Sequence, residues 1–191
     1  MKQIKILAIV GSLRKESYNR QLALAAKEIL KDWADFTLLE YQDIPLMNQD
    51  IEFPAPEAVK RVREEVKSAD GIWFFTPEYN HFFPGVLKNL IDWLSRPISG
   101  QEPQVLNGKP AAISGISPGM SGTCVAQDHL VTLISFLNMD VMNAPRLTIP
   151  NAMQQLDSDG RLALKESYPY LEMQANAFLS FLQKRVNDPL E

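Results

Sequence analysis

Four polar residues cluster near the start of the chain: Ser12, Arg14, Ser17 and Asn19, within Gly11-Ser12-Leu13-Arg14-Lys15-Glu16-Ser17-Tyr18-Asn19. Hydroxyls, an amide and a guanidinium at this spacing can all donate to phosphate oxygens, and the arginine adds a fixed charge and a planar fork. Two common phosphate loops are excluded. Leu13 stands where G-x-G-x-x-G needs its second glycine, and G-x-x-x-x-G-K-[ST] is absent. Side-chain donors favour a terminal phosphate monoester over a pyrophosphate, which requires close backbone approach. A plainer reading stays open here: Ser17 caps a helix and Arg14 is a solvated surface residue.

Two further stretches have the same irregular, polar character. In Thr76-Pro77-Glu78-Tyr79-Asn80-His81, turning backbone groups could read the polar edge of a heterocycle, with Tyr79 or a neighbour covering its ring. The same stretch could be an ordinary turn before a helix that Pro84 begins. Gly115-Ile116-Ser117-Pro118-Gly119-Met120-Ser121-Gly122 is glycine-rich, which suits backbone approach to a flat ring and equally suits a simple strand-to-helix turn. No Ser-His-Asp or Cys-His set is suggested. With two histidines, His81 and His129, and no clustered ligands, no zinc or iron site is expected. The single Cys124 reads as a core or interface residue rather than a nucleophile. His81 reads as a surface residue or one at a pocket mouth, and His129 as lying off a helix's core face.

These residues need elements to position them. Ile4 to Val10 is nearly continuous and rich in branched residues, as a strand buried on both faces reads. A helix follows, with Leu22, Ala25, Ala26, Ile29 and Leu30 on one face. Phe36 to Tyr41 is a second strand, and Asp43 to Asp50 a loop. The next helix faces inward through Val59, Val62, Val66 and Ala69. Gly71 to Thr76 is a third strand, ending at Pro77. The helix opened by Pro84-Gly85 turns Val86, Leu87, Leu90, Ile91 and Leu94 inward. Gln101 to Asn107 is polar and ends in an Asn107-Gly108 turn. Pro110 to Ile116 is a fourth strand, followed by a helix from about Ser121 to Leu137. Val141 to Ile149 is a fifth, interrupted by Pro145. The last helix places Leu171, Ala175, Phe178, Leu179, Leu182 and Val186 inward.

Five strands alternating with five helices imply an α/β fold, a five-stranded parallel sheet with helices on both faces. Ligands bind outside the carboxyl ends of such strands, where the strand order reverses. With the order 2-1-3-4-5, the polar loops after strands one, three and four meet at that point.

The chain has 191 residues, 46% of them hydrophobic, which suits a single domain over residues 1–191 with a sizeable core. A net charge of −4 without lysine- or arginine-rich runs argues against a nucleic-acid or membrane-surface binder. No apolar run is long enough to span a bilayer, and Met1-Lys2-Gln3-Ile4-Lys5 leads straight into a strand pattern. One cysteine rules out an internal disulfide and fits a reducing cytoplasm. Trp73, Phe74 and Phe75 read as core, Trp33 and Trp93 as packing residues, and Asp50-Ile51-Glu52 as a solvated acidic loop.

Taken together, Gly11-Ser12-Leu13-Arg14 with Ser17 and Asn19, Thr76-Pro77-Glu78-Tyr79-Asn80, and Pro84-Gly85-Val86-Leu87-Lys88-Asn89 followed by Asp92-Trp93 resemble the NADPH-dependent FMN reductase family. Pro45-Leu46 with Asn48-Gln49-Asp50, and Ser117-Pro118-Gly119, also fit. This flavodoxin-like group includes quinone, azo-dye and chromate reductases, and the resemblance runs from about Lys5 to Leu137. It implies a three-layer flavodoxin-like sandwich that binds FMN. It puts the FMN phosphate on Ser12, Arg14, Ser17 and Asn19, and the ring edge and ribityl chain against Pro77, Glu78, Tyr79 and Asn80. Ser117 and Gly119 lie on the far side of the ring. It implies hydride transfer from NADPH or NADH through FMN N5 to a small quinone-like acceptor in a ping-pong scheme, with no catalytic side chain required. A homodimer or dimer of dimers is implied through helices beside the flavin. The family often carries a basic residue near Thr123-Cys124-Val125, where this chain has none, so an inter-subunit ion pair built there is not expected. A flavodoxin-like electron carrier, or a flavin-based redox sensor without turnover, is the alternative.

Overall fold

The computed structural model describes residues 3–97, 99 and 102–187. The side chain of Val186, expected inward, and Gln101, in the expected polar stretch, lie outside the described residues.

β1 (Ile4–Val10) is an interior strand of the sheet and exposes only Lys5, the single polar residue in an otherwise apolar run. It is followed by α1 (Tyr18–Leu30), β2 (Ala34–Leu38), α2 (Glu57–Ser68), β3 (Gly71–Phe75), α3 (Gly85–Leu94), β4 (Pro110–Ile116) and α4 (Cys124–Phe136). Two short strands, β5 (Asp140–Val141) and β6 (Leu147–Ile149), precede α5 (Tyr168–Asn187). The strands run β2-β1-β3-β4-β5, with β6 also paired to β4, and every pairing is parallel. α1 and α5 pack on one face, α2, α3 and α4 on the other. All residues of β3 and β4 are buried, as strands covered on both sides must be. Trp73, Phe74 and Phe75 are fully buried.

Three boundaries differ from the sequence expectation by more than one residue. β2 starts earlier and ends at Leu38, because its register pairs Ala34 with Ile4 and Leu38 with Ala8; Tyr41 instead turns in to donate its hydroxyl to the Val10 carbonyl at 2.6 Å. α4 starts at Cys124 because Gly122 and Thr123 are left-handed, with φ of 56° and 78°. The fifth strand is split in two, making six strands rather than five. Pro145 lies between the two pieces, and Gln174 of α5 fills the gap. Its amide donates to the carbonyls of Ile113 at 2.8 Å and Pro145 at 3.0 Å, and it accepts from Ser114 Oγ at 2.6 Å. Trp73 Nε1 donates to the same Ser114 oxygen at 2.8 Å.

Some side chains also depart from expectation. Glu52 is buried and takes an ion pair from Arg96 at 2.7 Å, so it is not part of a solvated loop. Trp33 packs little and is 66% exposed, at the turn after α1. Cys124 is exposed, not a core residue. Val86 in the first turn of α3 is exposed, whereas Leu87, Leu90, Ile91 and Leu94 are buried.

Candidate functional site

Strand order reverses between β1 and β3, and the loops after β1, β3 and β4 converge on the carboxyl rim there. The first loop leaves the sheet at Gly11, whose N–H donates to the Phe75 carbonyl at 2.8 Å. It closes when Ser17 N–H donates to the Arg14 carbonyl at 3.1 Å. Ser17 is the N-cap of α1 and is buried, yet its hydroxyl makes no capping bond. The first N–H groups of α1 have no intrahelical acceptor by geometry, and no acidic residue occupies its first turn. The Arg14 guanidinium lies 5.1 Å from the centre of the Tyr18 ring, and Tyr18 Oη reaches Met153 Sδ at 3.4 Å. Ser12 Oγ accepts a long bond from Arg14 N–H at 3.4 Å.

Asn19 is used differently from the other three. Its amide donates to the Ile116 carbonyl at 2.9 Å and its carbonyl accepts from Ile116 N–H at 3.1 Å. Both ends of this buried side chain tie α1 to the end of β4, so only the backbone N–H of Asn19 is left for a ligand. Ser12, Arg14 and Ser17, with the α1 N-terminus and its first turn free of acidic residues, form a donor set that fits a phosphate monoester.

The second loop is a tight hairpin. Tyr79 and Phe82 exchange both backbone hydrogen bonds, at 2.9 and 3.1 Å, and Asn80 and His81 have φ of 54° and 59°. Positive φ at both central residues defines the primed turn that matches strand twist. Phe82 stacks on His129 with ring centres 4.5 Å apart. The Glu78 side chain is only 7% exposed and turns toward Ser121 and the first turn of α4. It accepts from Ser121 Oγ at 2.7 Å and from Ala126 N–H at 3.0 Å, and His81 Nδ1 lies 3.5 Å away. Burial pushes this carboxyl up, but the Ser121 and Ala126 hydrogen bonds and the nearby His81 together outweigh it and hold the group below its ordinary value. Glu78 therefore locks the second loop onto α4, and Pro77 to Asn80 are left to offer mainly backbone. His81 is 81% exposed at the hairpin tip.

The third loop is fastened to the segment after β6. Ser117 N–H donates to the Ile149 carbonyl at 3.1 Å, Ala152 N–H to Ser117 at 3.0 Å and Asn151 N–H to Gly119 at 3.2 Å. A Cβ on Gly115 would collide with Thr123 Oγ1 and the Thr76 carbonyl, so this glycine serves strand-to-loop packing rather than ligand approach.

Beside these loops lies a cavity of about 550 Å³ whose walls include Leu13, Tyr41, Ile44, Leu46, Tyr79 and the outward-facing Val86. The loop after β2, which forms much of it, carries no periodic signal in the sequence. It is built by Asn89 and Trp93 of α3. Asn89 accepts from Met47 N–H at 2.7 Å, and both Asn89 Nδ2 and Trp93 Nε1 donate to the Pro45 carbonyl at 2.9 Å. Trp93 thus packs, as expected, and also positions the cavity wall. Burial, with a smaller effect from Glu40, pushes the Tyr41 phenol well above its ordinary value, so it stays neutral. Among the described residues no group of metal ligands occurs, and no helix is long and apolar enough to cross a membrane.

A parallel 2-1-3-4-5 sheet with its ligand loops at the switch point defines a flavodoxin-like domain. The chain belongs to the NADPH-dependent FMN reductase family, whose model matches residues 4–154. It is 36% identical over 182 residues to a 2-hydroxy-1,4-benzoquinone reductase of Burkholderia sp, covering 95% of this chain and 98% of that one. It is 40% identical over 179 residues to a quinone reductase of Pseudomonas putida, with 93% and 94% covered. Among solved structures it superposes on FerB, a flavoenzyme NAD(P)H:(acceptor) oxidoreductase from Paracoccus denitrificans, with a TM-score of 0.85, 33% identity and coverage of 95% and 98%. The chain is an NAD(P)H-dependent oxidoreductase with FMN as its cofactor.

Proposed function

We infer that the chain, acting as one domain over residues 1–191, carries electrons from NADPH or NADH to a small quinone-like acceptor, the two substrates using one site in turn. The observation that carries this reading is the buried Ser17 hydroxyl, left without a capping bond at a helix N-terminus beside Ser12 and Arg14. The side chains of Ser12, Arg14 and Ser17, with the backbone N–H of Asn19, would hold the FMN phosphate. Backbone groups of Pro77, Glu78, Tyr79 and Asn80 would meet the ring edge, with Ser117 and Gly119 on its far side. Bound FMN would supply the redox chemistry, the transfer of a hydride equivalent from the reductant to the acceptor.

The protein's own part is positional. Glu78 keeps the second loop in place, the Ser117–Gly119 loop is held by Asn151 and Ala152, and apolar side chains line the cavity beside Tyr79. No side chain has to donate or accept a proton in the hydride step. The quinone-like acceptor is supported by the activities for which the Burkholderia and P. putida relatives are named. A homodimer or dimer of dimers is supported by exposed Phe82, Val86 and Phe136 on the α3 and α4 side.

Steady-state rates of FMN-loaded protein with NADPH and benzoquinone test the reading. Parallel double-reciprocal lines are expected. Intersecting lines would contradict the shared site, and flavin reduction without turnover of any acceptor would mark a carrier or redox sensor instead.

A further inference from the structure

Adjoining the apolar cavity is a second one of about 350 Å³, and the two share Leu13, Tyr41 and Gln42 as a common wall. Their characters are opposite. The larger is walled by aromatic and aliphatic side chains beside the second loop. The smaller is lined by Arg14, Lys15 and Arg20, with Glu40 as its one carboxylate.

The charge balance of the smaller cavity is unusual for this protein. The chain as a whole carries −4. Here three cations meet one carboxylate, and Glu40 is already paired with Arg20 at 2.7 Å. Arg14 has the Tyr18 ring as its neighbour, and Lys15 makes no ion pair among the described residues. Surplus positive charge in a concavity focuses its field and attracts an anion. The anion is not the one assigned to the α1 N-terminus. Ser12 and Arg14 reach both places, but Ser17 and Asn19 do not line this cavity, and Leu39, Glu40 and Tyr41 on the β2 side do.

The geometry points to this trough as the site of the reductant, with its apolar end receiving the nicotinamide beside Tyr79 and its basic end receiving the 2′-phosphate of NADPH. This rests on the reading of the chain as a flavin oxidoreductase and adds to it a location for the nucleotide and a basis for preference. A ligand with a flat ring at one end and a phosphate dianion at the other matches the two ends; NADH lacks the group that the basic end would hold. Lys15 is the specificity-determining residue, because its charge is the one with no intramolecular partner. Ser12 and Arg14 stand on the border between this trough and the flavin phosphate.

Calorimetry on the FMN-loaded protein with 2′,5′-ADP and 5′-ADP tests the assignment. The wild type is expected to bind 2′,5′-ADP about tenfold more tightly than 5′-ADP, as a charge-assisted contact would give. Lys15→Glu should remove that preference, raise KM for NADPH but not for NADH, and leave FMN affinity unchanged; Lys15→Arg should retain the preference. Equal binding of the two nucleotides by the wild type would overturn the assignment. So would a Lys15→Glu protein that loses FMN affinity, since the cavity would then serve the flavin phosphate. A wild-type protein that takes up no FMN would instead overturn the underlying reading.

Discussion

Replacing Glu78 with glutamine tests whether one buried carboxylate fastens the ring-facing loop to α4. The change keeps the shape and removes the charge. In the native protein the carboxylate accepts from Ser121 Oγ at 2.7 Å and Ala126 N–H at 3.0 Å, with only 7% of the side chain exposed. A hydrogen bond to a charged group contributes about 1.5–3 kcal/mol. Glutamine keeps one acceptor oxygen, so the net loss is about the worth of one such bond. For a chain of this size each kcal/mol lowers Tm by about 2–4 °C, which gives a fall of about 3–12 °C at neutral pH. The pH dependence follows from the direction of the shift. The folded-state carboxyl lies below its ordinary value, so its stabilisation is fully present above the unfolded value of about 4.3. It fades as pH falls through the lower folded value. The gap between wild type and variant should therefore be widest near neutrality and narrow only in acid. Thermal melts of both proteins across pH 3–8 read this directly. A neutral-pH gap under about 1 °C, or one that stays constant while both proteins remain folded in acid, would refute the reasoning.

Three further outcomes follow. Arg14→Ala should weaken FMN binding by about 1.5–3 kcal/mol while leaving riboflavin binding unchanged; fluorescence titrations with both flavins distinguish a phosphate contact from a general one. Gly115→Ala should cost about 3 kcal/mol or more in urea denaturation, because the new methyl meets the Thr76 backbone carbonyl, which cannot move aside. Cys124→Ser should change stability by no more than about 0.5 kcal/mol and leave turnover intact, since the thiol is exposed; a dead enzyme with normal FMN content would show that the thiol takes part.

The parts of the fold most legible in the sequence are those where one physical demand dominates. β1 and β4 are covered on both faces, so their nearly continuous apolar runs mark their ends closely. Val59, Val62 and Val66 repeat at helical spacing because one face of α2 meets the sheet. What the sequence concealed depends on partners distant along the chain. Pro145 announces a break, but nothing local says that Gln174 will fill it. Glu52 looks like a solvated acid because Arg96 lies 44 residues away. Val86 has the type and spacing of a core residue, yet the first turn of α3 rises above the sheet and borders a cavity. Among the candidate ligands, the Ser17 hydroxyl is left without a capping bond, as the proposed phosphate contact requires. Asn19 offers the same donors, but its amide pairs with Ile116. The cavity wall from Tyr41 to Leu46 has no period, and beyond the resemblance at Pro45-Leu46 nothing local shows that Asn89 and Trp93 hold it.

The most direct measurement is anaerobic. Protein loaded with FMN and freed of excess flavin is mixed with one equivalent of NADPH while its visible flavin absorbance is followed, and benzoquinone is then added. The account predicts bleaching on the first addition and full recovery on the second, with no third component. Absorbance that NADPH leaves unchanged, or a protein that retains no flavin to bleach, would contradict it.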